Sequence, residues 1–149
     1  GVQTCALPIS NDLVQINNGQ SIRRVGDLSF VVVHSLAELD AQLVLAKQEQ
    51  KLLLLDFYAD WCISCKEMEV NTFTNPEVSK QLKQLVLVQA DVTANSPENQ
   101  ALLKKFGLYG PPGILFFSQN SEEQKNQRVI GYMSPERFIE RLKQVMKTQ

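Results

Sequence analysis

Two cysteines three residues apart carry the chemistry in this chain. Trp61-Cys62-Ile63-Ser64-Cys65-Lys66 follows a compact apolar run, Leu52 to Tyr58, and opens a segment, Lys66 to Phe73, that reads as helix. A strand handing over to a helix at this point puts the first cysteine at a helix N-terminus. Unpaired backbone N–H groups and the positive end of the helix dipole favour a thiolate there over a thiol. Cys62, at the front of the helix, is therefore the candidate nucleophile. Cys65 falls about one helical turn deeper, in reach of a mixed disulfide on Cys62, and is the candidate resolving thiol. The same spacing serves zinc, but a structural zinc site wants four ligands. The remaining cysteine, Cys5, and the single histidine, His34, are both remote in sequence, so no metal is expected. His34 reads as a structural or surface residue.

Further residues could act with the pair. Asp56 lies inside the apolar run that leads to Cys62. A carboxyl is expensive to bury there unless it has a task, because desolvation favours its protonated form. Glu69 follows Cys65 at the i, i+4 spacing and shares its helix face, although a solvated surface acid is an equal reading. Negative charge near a thiol raises its pKa, so these acids compete with the helix dipole. Gly110-Pro111-Pro112-Gly113 precedes a second apolar run, Ile114 to Phe117. A cis bond before Pro112 would turn backbone toward the cysteines, and X-Pro is the usual setting for cis; a rigid loop is the plainer alternative. Trp61 beside the motif and Tyr109 ahead of the prolines could form the rim of a docking surface, with packing roles equally open. Lys66 reads as a solvated side chain.

The elements that must position these groups follow from caps and periodicity. Leu28 to Val33 is a short strand, and Ser35 caps a helix from Leu36 to Gln50 with Leu36, Leu39, Leu43 and Ala46 on one face. Lys51 to Tyr58 has the continuous apolar centre of a strand buried on both faces. Asn75-Pro76-Glu77 starts a fresh helix, breaking the preceding one near Thr74. Leu85 to Val92 is a strand. Ser96-Pro97-Glu98 opens a helix carrying Leu102, Leu103 and Phe106, which Gly107 ends. After the strand Ile114 to Phe117, Gln127 to Tyr132 reads as another, and Ser134-Pro135-Glu136 caps a last helix with Phe138, Ile139 and Leu142 inward. The order β, α, β, α, β, α, β, β, α predicts an α/β sandwich, a mixed central sheet covered by helices on both faces. Residues 1–27 read as an N-terminal arm or linker, with 1–9 foreign to the domain, and 28–149 as the domain itself.

With 149 residues, 44% of them hydrophobic and 21% charged, the chain suits one domain with a real core. A net charge of -1 with dispersed lysines and arginines gives no reason to expect nucleic acid or an anionic membrane as a partner. No apolar run approaches the roughly 18 residues of a membrane-spanning helix. A soluble monomer is expected, although it could be one domain cut from a membrane protein.

Asp56-Phe57-Tyr58-Ala59-Asp60-Trp61-Cys62-Ile63-Ser64-Cys65-Lys66, followed by Gly110-Pro111-Pro112 ahead of Ile114-Leu115-Phe116-Phe117, resembles the thioredoxin superfamily over roughly Leu28 to Met146. More narrowly, the chain resembles the C-terminal periplasmic domain of the DsbD family of bacterial thiol:disulfide interchange proteins. That likeness rests also on Thr72-Phe73-Thr74-Asn75-Pro76-Glu77-Val78, Asp91-Val92-Thr93-Ala94-Asn95 and Gly131-Tyr132-Met133. Thioredoxin proper carries Gly-Pro between its cysteines, where this chain has Ile63-Ser64; Pro111-Pro112-Gly113 departs from the aliphatic residue, Pro, Thr more usual in relatives.

The resemblance implies a thioredoxin-like three-layer sandwich and a protein-disulfide reductase. Cys62 and Cys65 match the redox pair, Asp56 the buried acid of the superfamily, and Glu69 a second acid of the DsbD-type domain. It implies a relay in which a membrane domain of the same protein reduces this domain, which then reduces the N-terminal periplasmic domain; final clients include cytochrome c maturation factors. The location implied is the periplasm, on an inner-membrane protein, with no cofactor besides the Cys62–Cys65 disulfide. A free-standing thioredoxin-like reductase and a non-catalytic binding or chaperone module are the alternatives. Asp56 is expected to take the Cys65 proton, and both acids to keep the free thiols protonated.

Overall fold

The computed structural model describes residues 14–17 and 20–147. Among them are the strands β1 (Val14–Asn17), β2 (Gln20–Val25), β3 (Leu28–Val33), β4 (Leu53–Tyr58), β5 (Val86–Asp91) and β6 (Gly113–Phe117). The helices are α1 (Leu36–Gln48), α2 (Ile63–Glu67), α3 (Pro76–Leu82), α4 (Pro97–Lys105) and α5 (Pro135–Lys147), and α2 widens directly into a π-helical stretch, Met68–Phe73. Side-chain caps set several of the starts. Ser35, Asn75 and Ser96 each accept a backbone N–H from the first turn that follows, and Ser96 forms a reciprocal capping box with Asn99. Gly107, at φ +69°, ends α4 in the left-handed region where a side chain is disfavoured.

The strands form one mixed sheet in the order β1-β2-β3-β5-β4-β6. Hairpins of neighbouring strands build the β1–β3 side, while β3, β5 and β4 run parallel through helical crossovers. Strand β4 has parallel β5 on one side and antiparallel β6 on the other, and all six of its residues are buried. That explains its near-continuous apolar sequence. One face of the sheet packs Phe30, Leu54 and Phe116 against Met68, Phe73, Val78, Leu82, Phe138 and Leu142, from the π-helical stretch, α3 and α5. The opposite face packs Leu53, Leu55, Phe57 and Leu115 against Leu39 and Ala46 of α1 and Leu102 and Leu103 of α4. Helices thus cover both faces, giving the expected three layers.

Two expectations change. The segment Gln127 to Tyr132 is not a strand: Lys125–Gln127 is a 3-10 turn, and only Val129 pairs with Ile114, through backbone bonds of 2.8 and 2.9 Å. Gly131 at φ +90° turns the chain out of the extended conformation and leaves Ile130 exposed, so the pairing cannot continue. The expected arm, residues 1–27, is sheet over its described part. Strand β2 returns into β3 through a tight turn at Gly26, φ +58°, with Val25 opposite Leu28. Its polar sequence, Gln-Ser-Ile-Arg-Arg-Val, concealed a strand because the strand contributes a buried arginine rather than an apolar stripe. Cys5 and the stretch 1–9 lie outside the described residues.

Candidate active site

The register gathers the separate motifs at one end of the sheet. Phe57 of β4 lies opposite Gly113 of β6, and Tyr58 lies opposite Asp91 of β5. Ala59 to Cys62, the Pro111-Pro112 loop and Val92-Thr93 therefore all leave the sheet at the same edge. The Pro111–Pro112 peptide bond is cis, as expected. Thr93 ties the approach to the cysteines: its Oγ1 accepts from Asp60 N–H at 2.9 Å, and its carbonyl oxygen accepts from Trp61 Nε1–H at 3.1 Å.

Cys62 and Cys65 are joined by a disulfide, with their Cα atoms 5.3 Å apart. Cys62 is the N-cap of α2, in extended conformation, and its sulfur accepts the backbone N–H of Cys65 at 3.2 Å. That donor would stabilise a Cys62 thiolate directly once the pair is reduced. Cys65 Sγ sits 3.6 Å from the carbonyl oxygen of Phe57, an acceptor for its S–H in the reduced form. The access expected for Cys62 is narrow, since it retains 6% exposure against 3% for Cys65. Around it the apolar surface is open: Trp61 is 59% and Ile63 75% exposed, and Tyr109 is fully so. Pro111 and Pro112 are half-buried.

A polar network lies inside the core around Asp56 of β4, the strand that leads to the pair. Asp56 is buried, and its Oδ2 accepts from Gln89 Nε2 at 3.0 Å. Burial pushes the Asp56 carboxyl up to about 8, and the charge of Glu69 pushes the same way; the Gln89 hydrogen bond and the Arg23 charge act in opposition. Glu69 is not a solvated acid: it forms a two-pronged ion pair with Arg23, from Nη1 to Oε2 and from Nη2 to Oε1 at 2.9 Å. Arg23 stacks over the Tyr58 ring at 4.3 Å from its centroid. Lys66, expected in solvent, folds back so that its Nζ donates to the Tyr58 hydroxyl at 3.1 Å, and that hydroxyl donates to Asp60 Oδ1 at 2.9 Å. Burial raises the Tyr58 hydroxyl above its ordinary range.

Of the residues singled out from sequence, Cys62 and Cys65 are bonded to each other and Asp56 and Glu69 share one network with Arg23 and Gln89, neither of which was singled out. A glutamine in the middle of the apolar strand 85–92 is the same kind of signal that marked Asp56. Arg23 carried no comparable signal in its polar surroundings. His34 is exposed, as expected, and lies 3.6 Å from Glu38.

A covalently linked Cys-x-x-Cys pair at the head of a helix, with a cis-proline loop at the same sheet edge and a buried acid on the adjoining strand, defines a thioredoxin-like fold and site. The family model described as a thioredoxin-like domain matches residues 39–146, and the chain belongs to that family. Within it, the chain is similar to the C-terminal domain of DsbD from Neisseria meningitidis. The oxidised form is 41% identical, with a TM-score of 0.67 over 76% of this chain and 98% of that one. The reduced form is 43% identical, with a TM-score of 0.66 over 73% and 95%. Thiol:disulfide interchange protein DsbD of Klebsiella pneumoniae subsp. pneumoniae is 45% identical over 123 residues, 83% of this chain. The chain spans about a fifth of the length of the curated relatives it matches. No helix among the described residues is long and apolar enough to cross a membrane.

Proposed function

We infer that this domain is a protein-disulfide reductase that works by thiol-disulfide exchange through Cys62 and Cys65. The observation that carries the reading is the bonded pair itself, with the Cys65 N–H aimed at the Cys62 sulfur and Asp56 held protonatable on the adjacent strand. In the reduced domain, the Cys62 thiolate attacks a client disulfide; a Cys62–client bond forms, and one client thiolate leaves. Cys65 then gives its proton to the Asp56 carboxylate and attacks the Cys62 sulfur. The Cys62–Cys65 bond closes, and the second client thiolate leaves, so two electrons pass to the client. Trp61, Tyr109, Pro111 and Pro112 form the surface against which the client backbone docks. Glu69, with Asp56, opposes stray thiolate formation. The reading needs no cofactor besides the cysteine pair.

The likeness to DsbD supports a finer version. The client is the N-terminal domain of a DsbD-like protein in the periplasm, and a membrane domain of that protein restores the dithiol. The test is a Cys65→Ser variant, reduced and mixed with the oxidised N-terminal domain of a DsbD relative. A stable mixed disulfide on Cys62 is expected, and its absence would refute exchange through this pair. The potential of the couple in a glutathione buffer fixes direction: a donor should lie near the about -270 mV of thioredoxin, and a value near the about -120 mV of DsbA would reverse the assignment.

A further inference from the structure

Arg23 is buried, at 5% exposure, on a strand ahead of the cysteine-bearing unit, and no step of the exchange uses it directly. Besides gripping Glu69, its Nη1 donates to Gln89 Oε1 at 3.2 Å, and its Nη2 lies 3.4 Å from the Tyr58 hydroxyl. A guanidinium has donors only, so Gln89 must meet it with its amide oxygen. The amide NH2 is thereby turned toward the acids, 3.0 Å from Asp56 Oδ2 and 3.4 Å from Glu69 Oε2. Hydrogen-bond polarity alone fixes this orientation. The chain of contacts crosses the sheet from β2 over β3 to β5 and β4.

We propose that Arg23 and Gln89 are positioning residues for Asp56: by pairing the Glu69 charge and aiming the Gln89 amide, they set how readily Asp56 accepts the proton of Cys65. This rests on the exchange reading above. The groups that face Asp56 are Arg23 from β2, Gln89 from β5 and Glu69 from the π-helical stretch. Lys66 of α2 and Tyr58 of the same strand join the network, and β6 sets the apolar Ile114 opposite. With its carboxyl near 8, Asp56 is ionised in only about one molecule in ten at pH 7. Removing Arg23 leaves the Glu69 charge uncompensated, which raises the Asp56 midpoint by about one unit and cuts that fraction about tenfold.

The test titrates the Asp56 carboxyl carbon by NMR in the disulfide form of the full 149-residue chain. In parallel, the release of glutathione from a Cys62 mixed disulfide, made with oxidised glutathione, is followed across the neutral and alkaline range. Arg23→Met should raise the Asp56 midpoint by about one unit, and Glu69→Gln should lower it by a similar amount. The double variant, charge-balanced again but lacking the guanidinium that aims Gln89, should come back toward the wild-type midpoint and stop above it. Glutathione release at pH 7 should slow about tenfold in Arg23→Met and recover at alkaline pH, because the profile moves while its plateau stays. A midpoint unmoved in both folded single variants, a double variant that stays at the midpoint of either single one, or a moved midpoint with an unmoved rate profile would each overturn the proposal. If Arg23→Met does not fold, Glu69→Gln and the double variant carry the same comparison. A wild-type chain that fails to exchange with glutathione defeats the exchange reading, whereas the titration still reads the charge network.

Discussion

Replacing Asp56 by asparagine keeps the size of the side chain and an oxygen to accept the Gln89 amide, and removes only the titration. In the unfolded chain an aspartate titrates near 3.8, and in the folded protein burial moves Asp56 to about 8. Between those values the folded protein holds a proton that the unfolded chain has given up. Stability therefore falls as pH rises, by about 1.4 kcal/mol per pH unit for this one group. The contribution is fully present below about pH 4 and lost by about pH 8, a total of about 6 kcal/mol as a ceiling. An asparagine side chain has no such dependence, so the Asp56→Asn variant should match the wild type near pH 4 and gain on it progressively toward pH 8. Urea unfolding of both proteins with the disulfide intact, at several pH values across the window, measures the difference directly. Groups common to the two proteins cancel in it. A difference that stays flat with pH would refute a protonated, buried Asp56. On the proposed exchange, in which Asp56 takes the Cys65 proton, the same variant should slow the resolving step by about 100-fold or more.

Phe73→Ala should cost about 3–5 kcal/mol in urea unfolding, since that buried ring packs between Phe30 and Phe138 at centroid distances of 5.7 and 5.9 Å. Ser96→Ala breaks the capping box of α4 and should cost about 1 kcal/mol, read as a lowered thermal midpoint with exchange chemistry intact. Tyr109→Ala removes a fully exposed ring, so the melting temperature should hold while KM for a protein disulfide rises and reaction with glutathione is unchanged.

Much of this site was legible because its signals are local. The i, i+3 spacing of Cys62 and Cys65 at a strand-to-helix junction, with no further zinc ligands nearby in sequence, pointed to a redox pair, and Asp56 stood out as a carboxyl in a run of six buried residues. Caps at Ser35, Asn75 and Ser96 announced their helices by short-range hydrogen bonding. Gln127 to Tyr132 misled because β-branched residues suggest a strand until Gly131 turns the backbone away, and only Val129 finds a partner.

The sequence by itself determined the redox pair, the helix that begins beside it, the apolar strand that leads to it and the acid within that strand. Only the tertiary structure decided what surrounds that acid. Arg23 meets Glu69 across 46 residues of chain and Gln89 across 66, and no local pattern of propensity or periodicity encodes contacts at that range. A guanidinium can be buried only where acceptors converge, and here they converge because the sheet order lays β2 beside β3 and within an arginine's reach of β5.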